Sequence, residues 1–213
     1  MLISFDKVIN TYNLQPKGII HVGGHFAEEI DEYYKNGVQR TIWVEANPEA
    51  FDILKNKVSN YPNAIALNEC VSNKDGEQIG FHISNNGQSS SILELSYHKI
   101  AHPDVHYTKT LLCTTKTIDT IFAELTIPNK LEYTFLNADI QGAELMMLQG
   151  GTKLLDQLNC LYLEVNDREV YKDCGLIGEL DNFLNPFGFI RMQTEMYHNT
   201  GWGDAVYIKS KNN

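Results

Sequence analysis

The feature of this sequence that most constrains its fold is the alternation of short apolar runs, rich in β-branched residues, with amphipathic stretches. Such alternation is typical of βα units, whose strands form a parallel sheet because each helix carries the chain back across one face. We therefore predict an α/β fold. The predicted strands span residues 17–22, 40–45, 63–71, 133–140 and 158–165, and the predicted helices span residues 26–36, 48–58, 118–125, 142–155 and 176–184.

The end of the chain breaks this alternation. Segments 189–196 and 202–209 both have strand character, and only a turn region at 199–201 separates them. Since no crossover helix fits in so short a connection, the two strands must be antiparallel. The sequence thus predicts a mostly parallel sheet that ends in an antiparallel hairpin, which disfavours a six-stranded, fully parallel dinucleotide-binding fold.

The middle of the chain also departs from the βα rhythm. Residues 78–84 alternate between apolar and polar, residues 85–91 form a polar loop, and residues 109–117 are again strand-like. We interpret residues 78–117 as an insertion within a single domain that covers residues 1–213.

Composition limits the classes of partner. The chain has 213 residues, 43% of them hydrophobic, which is enough for one domain with a full core. With Lys+Arg 17 against Asp+Glu 27, its formal net charge is −10, whereas a protein that binds nucleic acid needs a basic surface. No apolar run reaches the length of a membrane span, and the first residues do not form a signal peptide. We expect a cytoplasmic protein that binds neither nucleic acid nor membranes.

The first candidate site residues follow the early strands, because ligands of open α/β sheets bind beyond the carboxyl ends of the strands. Gly23 and Gly24 would let a ligand approach the backbone. Glu45 lies 22 residues beyond Gly23, close to the roughly 20 residues at which an acid reaches a ribose diol. A carboxylate accepts from both hydroxyls, so this pair predicts a ligand with an unphosphorylated ribose. The end of the third strand, near Cys70, is a weaker candidate for the place of an adenine.

A second group of polar residues follows the fourth and fifth strands. Asp139 lies at the tip of the fourth strand and Glu144 in the first turn of the next helix, while Glu164 and Asn166 end the fifth strand. Adjacent strands would bring Asp139, Glu164 and Asn166 together. Because buried carboxylates are costly, a cation compensates them, or one is protonated, or they face water.

The histidines of the insertion form a regular series. His98, His102 and His106 recur every four residues, a spacing that places ligands on one face of a helix. Pro103 interrupts that helix, so a metal triad is disfavoured. We interpret them as polar residues that cover the site, with His98 as the main contact. His25, in the glycine turn, is the more credible functional histidine.

Seven segments of the sequence resemble one known family. They are HVGGH, IWVEANPEAF, NECVSNKDGE, GQSSS, TKTIDTI, NADIQGAEL and GWGDAVYI. Together they resemble the S-adenosylmethionine (SAM)-dependent methyltransferases of the FkbM family over residues 18–209. The resemblance implies a Rossmann-like methyltransferase fold: a mostly parallel seven-stranded sheet with an antiparallel last strand and helices on both faces.

The resemblance also implies the contacts of the cofactor. Glu45 would hold the ribose hydroxyls, and the turn at Gly23 would face the methionine part. His21 stands where such families commonly have an acid that holds the ammonium group, so Asp139 or a main-chain carbonyl would take over that duty. The implied cofactor-binding residues are His21, Gly23, Gly24, His25, Glu45, Ala46, Cys70, Val71 and Asp139.

The implied reaction is transfer of a methyl group from SAM to a hydroxyl, which must lose its proton. Asp139 is the first candidate for the base and Glu164 the second, with His98 as a further contact of the acceptor. Mg²⁺ would instead lower the pKa of the hydroxyl, although no spacing here identifies a metal ligand. The implied acceptor is a small molecule or glycan: a sugar, a nucleotide-linked sugar or a secondary metabolite.

Two other functions remain open. A nucleotide-dependent oxidoreductase fits the glycine turn and Glu45, but the third glycine of GxGxxG is absent and the terminal hairpin conflicts with its fold. A non-catalytic SAM-binding domain is favoured only by His21 in place of an acid. The insertion would serve either closure over the substrate or formation of a homodimer. Trp202 would pack either on a sugar ring or in the core.

Overall fold

A computed structural model describes residues 1–210 of the chain. The strands of this part are β1 (Gly18–Val22), β2 (Arg40–Val44), β3 (Ala64–Leu67), β4 (Cys70–Val71), β5 (Gln78–Ser84), β6 (Tyr107–Lys116), β7 (Tyr133–Ala138), β8 (Cys160–Asn166), β9 (Phe189–Met196) and β10 (Trp202–Lys209). The α-helices are α1 (Phe5–Thr11), α2 (Ile30–Lys35), α3 (Pro48–Val58), α4 (His98–Ala101), α5 (Ile118–Glu124), α6 (Glu144–Gln149), α7 (Thr152–Gln157) and α8 (Ile177–Leu184). Short 3₁₀ helices span Lys130–Glu132 and Asn185–Phe187.

The strands form a seven-stranded sheet in the order β3-β2-β1-β7-β8-β10-β9 and a three-stranded sheet in the order β4-β6-β5. In the large sheet β1 is parallel to both β2 and β7, and β7 is parallel to β8. The last strand, β10, is antiparallel to both β8 and β9. The predicted fold is therefore confirmed, including its terminal hairpin.

The two faces of the large sheet bury separate apolar clusters, because successive strand residues point to opposite faces. Ile20 and Leu161 belong to the cluster packed under α5, α6, α7 and α8. Ile19 and Trp43 belong to the cluster packed under α1, α2 and α3. Helices thus cover both faces, as predicted. None of the helices within residues 1–210 has both the length and the apolar character that a membrane span requires.

Two predicted elements begin or end elsewhere. The helix predicted at 26–36 starts only at Ile30, because His25 (φ 41°) and Ala27 (φ 55°) have left-handed backbone angles that a helix excludes. The helix predicted at 142–155 consists of two helices, α6 and α7, because Gly150 and the glycine after it interrupt the helical run.

The strand predicted at 63–71 is also divided. Its first part is β3 at the edge of the large sheet, whereas its second part, β4, leaves that sheet and pairs with β6. β5 and β6 pair in antiparallel register. The chain between them packs on the loops after β7 and β8: Ser91 Oγ donates to the Gln141 carbonyl (2.8 Å), and His98 N donates to the Val170 carbonyl (3.0 Å). This packing places α4 beside the ends of the parallel strands.

Leu161 on β8 has 0% exposure, whereas Leu112 on β6 is 76% exposed. We expect Leu161→Ala to lower the free energy of unfolding by roughly 2–5 kcal/mol, because it removes buried methyl groups and leaves a cavity. Leu112→Ala should change it by less than about 0.5 kcal/mol. Urea unfolding followed by circular dichroism measures both variants, and equal effects would contradict this assignment of the core.

Candidate active site

A cavity of about 650 Å³ lies beyond the carboxyl ends of the parallel strands, where the sequence predicted the ligand site. One end, which we call the β2 end, is lined by Glu45 and Cys70. The other, the β8 end, is lined by Glu164 on β8 and Trp202 on β10. The two ends are separated by β1 and β7 in the strand order. His98 of α4 also lines the cavity.

The glycine turn after β1 joins three strands at the floor of the cavity. Gly23 has φ +79°, and a Cβ there would lie 1.8 Å from the carbonyl oxygen of Asp139. A Cβ on Gly24 would lie 2.6 Å from Leu54 Cδ1 of α3. The N–H groups of both glycines donate to the Val44 carbonyl of β2, at 2.9 and 3.1 Å. Gly23 is therefore required by the packing of the backbone itself, before any ligand is considered, whereas a side chain on Gly24 would displace the end of the Leu54 side chain.

Glu45, directly after β2, has both carboxylate oxygens fixed by the backbone. Oε2 accepts from His25 N (2.8 Å) and Oε1 accepts from Asn47 N (2.7 Å). Burial raises the pKa of Glu45, and these N–H groups oppose that shift by stabilising the charged form. Each oxygen retains a further lone pair, so the carboxylate can accept two more hydrogen bonds from a ligand.

His21 on β1 is a neutral side chain with a defined tautomer. Its ring stacks on Trp43, with centroids 4.4 Å apart, and burial lowers its pKa to about 3. The Asn137 amide donates to the Tyr33 hydroxyl (2.7 Å), so the Tyr33 proton is free for His21 Nδ1 at 3.1 Å. All of these hydrogen bonds are satisfied when the proton of the imidazole is on Nε2. In this tautomer the residue offers a donor to the cavity.

Three carboxylates form a row at the β8 end. Glu164 on β8 lies opposite Asp204 on β10 in the antiparallel register. Ala138 pairs with Leu163 in the β7–β8 register, so Asp139 lies beside Glu164. All three side chains line the cavity, as predicted for Asp139 and Glu164. Asp204 was missed, because its proximity to Glu164 depends on the register of the hairpin.

Gln141 links two of these carboxylates. Its Nε2 donates to Asp139 Oδ1 (2.5 Å) and to Glu164 Oε2 (2.7 Å), and its Oε1 accepts from the hydroxyl of the buried Tyr171 (2.5 Å). Its backbone has φ +57°, a left-handed angle uncommon outside glycine. Every polar atom of this side chain is used, so Gln141 fixes the relative position of the two acids. Local spacing does not predict this role, because it depends on contacts with Glu164 and Tyr171.

Burial determines the protonation of the other acids nearby. Burial, followed by the charge of Asp139, raises the pKa of Glu164 well above its usual value. Of the open alternatives for these carboxylates, this shift favours the protonated form of Glu164. Glu144 does not line the cavity: its Oε1 accepts from Ile140 N (2.8 Å) and Gly142 N (3.3 Å) and stabilises the turn before α6. Asn166 is buried outside the cavity.

Of His98, His102 and His106 in the insertion, the first two line the cavity and the third lies outside it. His98 is 4% exposed, its Nδ1 is buried without a hydrogen-bond partner, and burial lowers its pKa to about 4. His102 also lines the cavity, and its Nε2 accepts from Trp202 Nε1 (3.3 Å). His106 lies outside the cavity. Within residues 1–210, no three His, Cys, Asp or Glu side chains are arranged to hold a metal ion, so the Mg²⁺ expected as a possible cofactor has no such ligand set.

His25 stacks on Phe26, and its Nδ1 lies 2.7 Å from Glu28 Oε1. Burial lowers the pKa of His25, but the hydrogen bond to Glu28 and the charges of Glu28, Glu45 and Asp139 together raise it by more, so the net shift is upward.

The structure brings the residues predicted to bind the cofactor or to act in catalysis to one cavity, while Asn166, which was expected beside Asp139 and Glu164, lies outside it. The individual roles of the residues stay predictions. The residues predicted to bind the cofactor or to act in catalysis, all of which line the cavity, are His21, Gly23, Gly24, His25, Glu45, Ala46, Cys70, Val71, His98, Asp139 and Glu164.

Burial raises the pKa of Glu144 to about 8, from an ordinary value of 4.5. The folded protein therefore keeps this proton over a range in which the unfolded chain has lost it, and stability falls as the pH rises through that range. Glu144→Gln keeps an acceptor oxygen but cannot ionise. We expect its melting temperature to rise relative to wild type as the pH increases from 4.5 towards 8. The exposed Glu195→Gln is the control, and a pH-independent difference for Glu144→Gln would contradict the assignment.

Comparison with known proteins identifies the family. The chain matches the family model of the methyltransferase FkbM domain over residues 21–191. None of the curated proteins matches the chain.

Solved structures share the fold at low sequence identity. A methyltransferase FkbM from Methylobacillus flagellatus KT has TM-score 0.58 and 14% identity, with coverage of 90% of this chain and 43% of that one. Magnesium protoporphyrin IX methyltransferase from Synechocystis PCC 6803, solved with bound SAM, has TM-score 0.53 and 10% identity over 95% and 74% of the two chains. Ribosomal protein L11 methylase from Lactobacillus delbrueckii subsp. bulgaricus has TM-score 0.52 and 9% identity over 95% and 75%.

These structures share the fold of this chain, in which the cavity lies at the carboxyl ends of β1, β2 and β7. The family match spans most of the chain. The chain therefore belongs to the FkbM methyltransferase family and is a SAM-dependent methyltransferase.

Proposed function

We propose that this protein transfers the methyl group of SAM to a hydroxyl of a sugar, a nucleotide-linked sugar or a secondary metabolite. The observation that carries the proposal is that Glu45, the predicted ribose-binding acid, and Asp139, the predicted base, line one cavity. We assign the β2 end to the cofactor and the β8 end to the acceptor. Membership of the FkbM family supports this assignment.

The residues at the β2 end fit SAM. Glu45 has both oxygens held by backbone N–H groups and can accept from the two ribose hydroxyls. When bound, SAM supplies an electrophilic methyl group on a positively charged sulfur. The carboxylates along the cavity favour that positive charge.

An acid at the position of His21 would hold the ammonium group of the cofactor, whereas His21 would contact its carboxylate. Its Nε2 carries the proton because Nδ1 accepts from Tyr33. We assign this N–H to the carboxylate of the methionine part. The ammonium group is then left to Asp139 or a main-chain carbonyl, as the resemblance implied.

Three side chains at the β8 end are candidates for the base. Glu164 is a poor candidate, because burial and the charge of Asp139 raise its pKa and so disfavour the charged form that would accept the hydroxyl proton. Asp139 is held at Oδ1 by Gln141 and is the first candidate. His98 is the second, since its low pKa keeps the imidazole neutral and able to accept. As the oxygen–methyl bond forms and the carbon–sulfur bond breaks, the base would take the proton from the acceptor oxygen.

The alternatives differ in what they bind. An oxidoreductase would bind NAD in preference to SAM, and the family match opposes it. A non-catalytic domain would bind SAM without turnover. The cytoplasmic location, the absence of nucleic-acid and membrane partners, and a homodimer stay predictions from the sequence.

We expect SAM and S-adenosylhomocysteine to bind with micromolar affinity, and Glu45→Ala to weaken both by at least about tenfold, because hydrogen bonds to a charged group each contribute roughly 1.5–3 kcal/mol. Titration calorimetry of wild type and variant measures this. Glu49→Gln, at a 71% exposed side chain four residues away, is the control for loss of charge. Unchanged affinity in Glu45→Ala, or preferential binding of NAD, would refute the assignment of the β2 end.

We expect Asp139→Asn to lower turnover by roughly 100-fold, because general-base catalysis contributes about 10²- to 10⁴-fold. Glu164→Gln, which keeps a neutral side chain able to accept from Gln141, should retain more activity. Release of S-adenosylhomocysteine with a panel of sugar acceptors measures both rates. A larger loss in Glu164→Gln than in Asp139→Asn would reverse the two roles.

A further inference from the structure

The cavity is lined by acidic side chains without basic ones. Within residues 1–210, no Lys or Arg is among its lining residues. The acidic residues that line it are Glu28, Glu29, Glu45, Glu69, Asp139, Glu164 and Asp204. Among the described residues, an anionic ligand in this cavity therefore meets no lysine or arginine side chain.

The acids of the cavity are only partly compensated. Glu69 at the β2 end lies 2.8 Å from Lys116 Nζ. The Met1 amino group lies 3.9 Å from Glu29, and the next residue, Leu2, donates its N–H to Asp204 Oδ2 (2.5 Å) at the β8 end. Asp139 and Glu164 have no salt bridge among the described residues and accept from the amide of Gln141. The acids thus outnumber the positive charges along the cavity, so an anion would be repelled.

The β8 end carries an aromatic pair. The rings of Tyr197 and Trp202 stack with centroids 4.7 Å apart and an interplanar angle of 22°, and both residues line the cavity. Trp202 Nε1 donates to His102 Nε2, which fixes the indole against α4. Tyr197 is 37% exposed at the rim. Such a pair offers a flat apolar surface to the C–H face of a sugar ring or to another planar group.

The side chain of His98 at this end can exchange hydrogen bonds with a hydroxyl group. His98 lines the cavity as a neutral imidazole, and its buried Nδ1 has no partner in the protein. Because it is neutral, it exchanges hydrogen bonds with hydroxyls but does not offset the charge of a phosphate or carboxylate.

Resting on the proposed function, we propose that the acceptor is a hydroxylated ring without negative charge that stacks on the Tyr197–Trp202 pair, and that the acidic lining of the cavity excludes rings that carry phosphate, sulfate or carboxylate. This narrows the acceptor to sugars without an anionic substituent and removes nucleotide-linked sugars, whose diphosphate would enter the acidic cavity with its charges uncompensated.

The test uses four pyranoses of one skeleton, added to the protein saturated with S-adenosylhomocysteine. The probes are methyl glucoside, glucuronate, glucose 6-phosphate and glucosamine, and saturation-transfer NMR with competition measures their relative affinities. We expect methyl glucoside to bind, and the two anionic rings to bind at least about tenfold more weakly, with the gap narrowing as salt screens the acids. Glucosamine is the control of opposite charge and should bind at least as tightly as methyl glucoside, because the acids attract its ammonium group.

Two pairs of variants separate stacking from charge. Tyr197→Ala should abolish the signal of methyl glucoside, while Tyr197→Phe, which keeps the ring, should retain it. Val105 lines the cavity next to His102, to which its N–H donates (3.0 Å). Val105→Lys adds one positive charge there and should bring the anionic rings closer to methyl glucoside in affinity. Val105→Met is its control for side-chain length.

Each contrary result has a distinct meaning. An anionic ring that binds as tightly as methyl glucoside, or glucosamine that binds more weakly than methyl glucoside, overturns the charge selection. Retained binding in Tyr197→Ala overturns the stacking surface. If S-adenosylhomocysteine binds but none of the four rings does, the acceptor is not such a ring and the inference fails, while the assignment of the cofactor end stands. Failure of S-adenosylhomocysteine itself to bind refutes the proposed function instead.

Discussion

The site depends on the close approach of two backbones, at Gly23 after β1 and at Asp139 after β7. The space between them does not admit even a Cβ, since one placed on Gly23 would lie 1.8 Å from the Asp139 carbonyl. Asp139 N donates to the Val22 carbonyl (3.0 Å), which continues the β1–β7 pairing past the ends of both strands. This contact fixes the distance between the glycine turn and the acids of the next two strands, and so sets the floor of the cavity.

The functional side chains are held by the protein before a ligand binds. Backbone N–H groups hold Glu45, the Tyr33 hydroxyl fixes the tautomer of His21, and Tyr171 orients Gln141 between two acids. Burial makes each of these partners necessary, because an unsatisfied buried polar group is costly. The same burial, with the charge of Asp139, raises the pKa of Glu164, and this shift lowers the cost of placing the two acids side by side.

Much of the fold followed from local pattern. The terminal strands 189–196 and 202–209 were predicted with the observed bounds, because a short polar turn between two apolar runs leaves only one arrangement. The predicted element boundaries were wrong where contacts with distant segments, and not the local apolar pattern, determined how a segment pairs. The run 63–71 is apolar throughout most of its length, yet its second part pairs with β6 across the chain. The predicted site residues reached one cavity because parallel strands end at one edge of the sheet.

The sequence by itself determined the sheet, its antiparallel end and the edge where the chemistry is placed, because apolar periodicity and connection length are local properties of the chain. Only the tertiary structure decided which groups meet there. Asp204 joins the acid row through the register of β10 with β8, and Trp202 reaches His102 across 100 residues of chain. The proton of His21 is placed by Tyr33 and Asn137, from a helix and a neighbouring strand. Contacts between distant segments and the low polarity of the interior fix these charges and tautomers, and neither is encoded in local spacing.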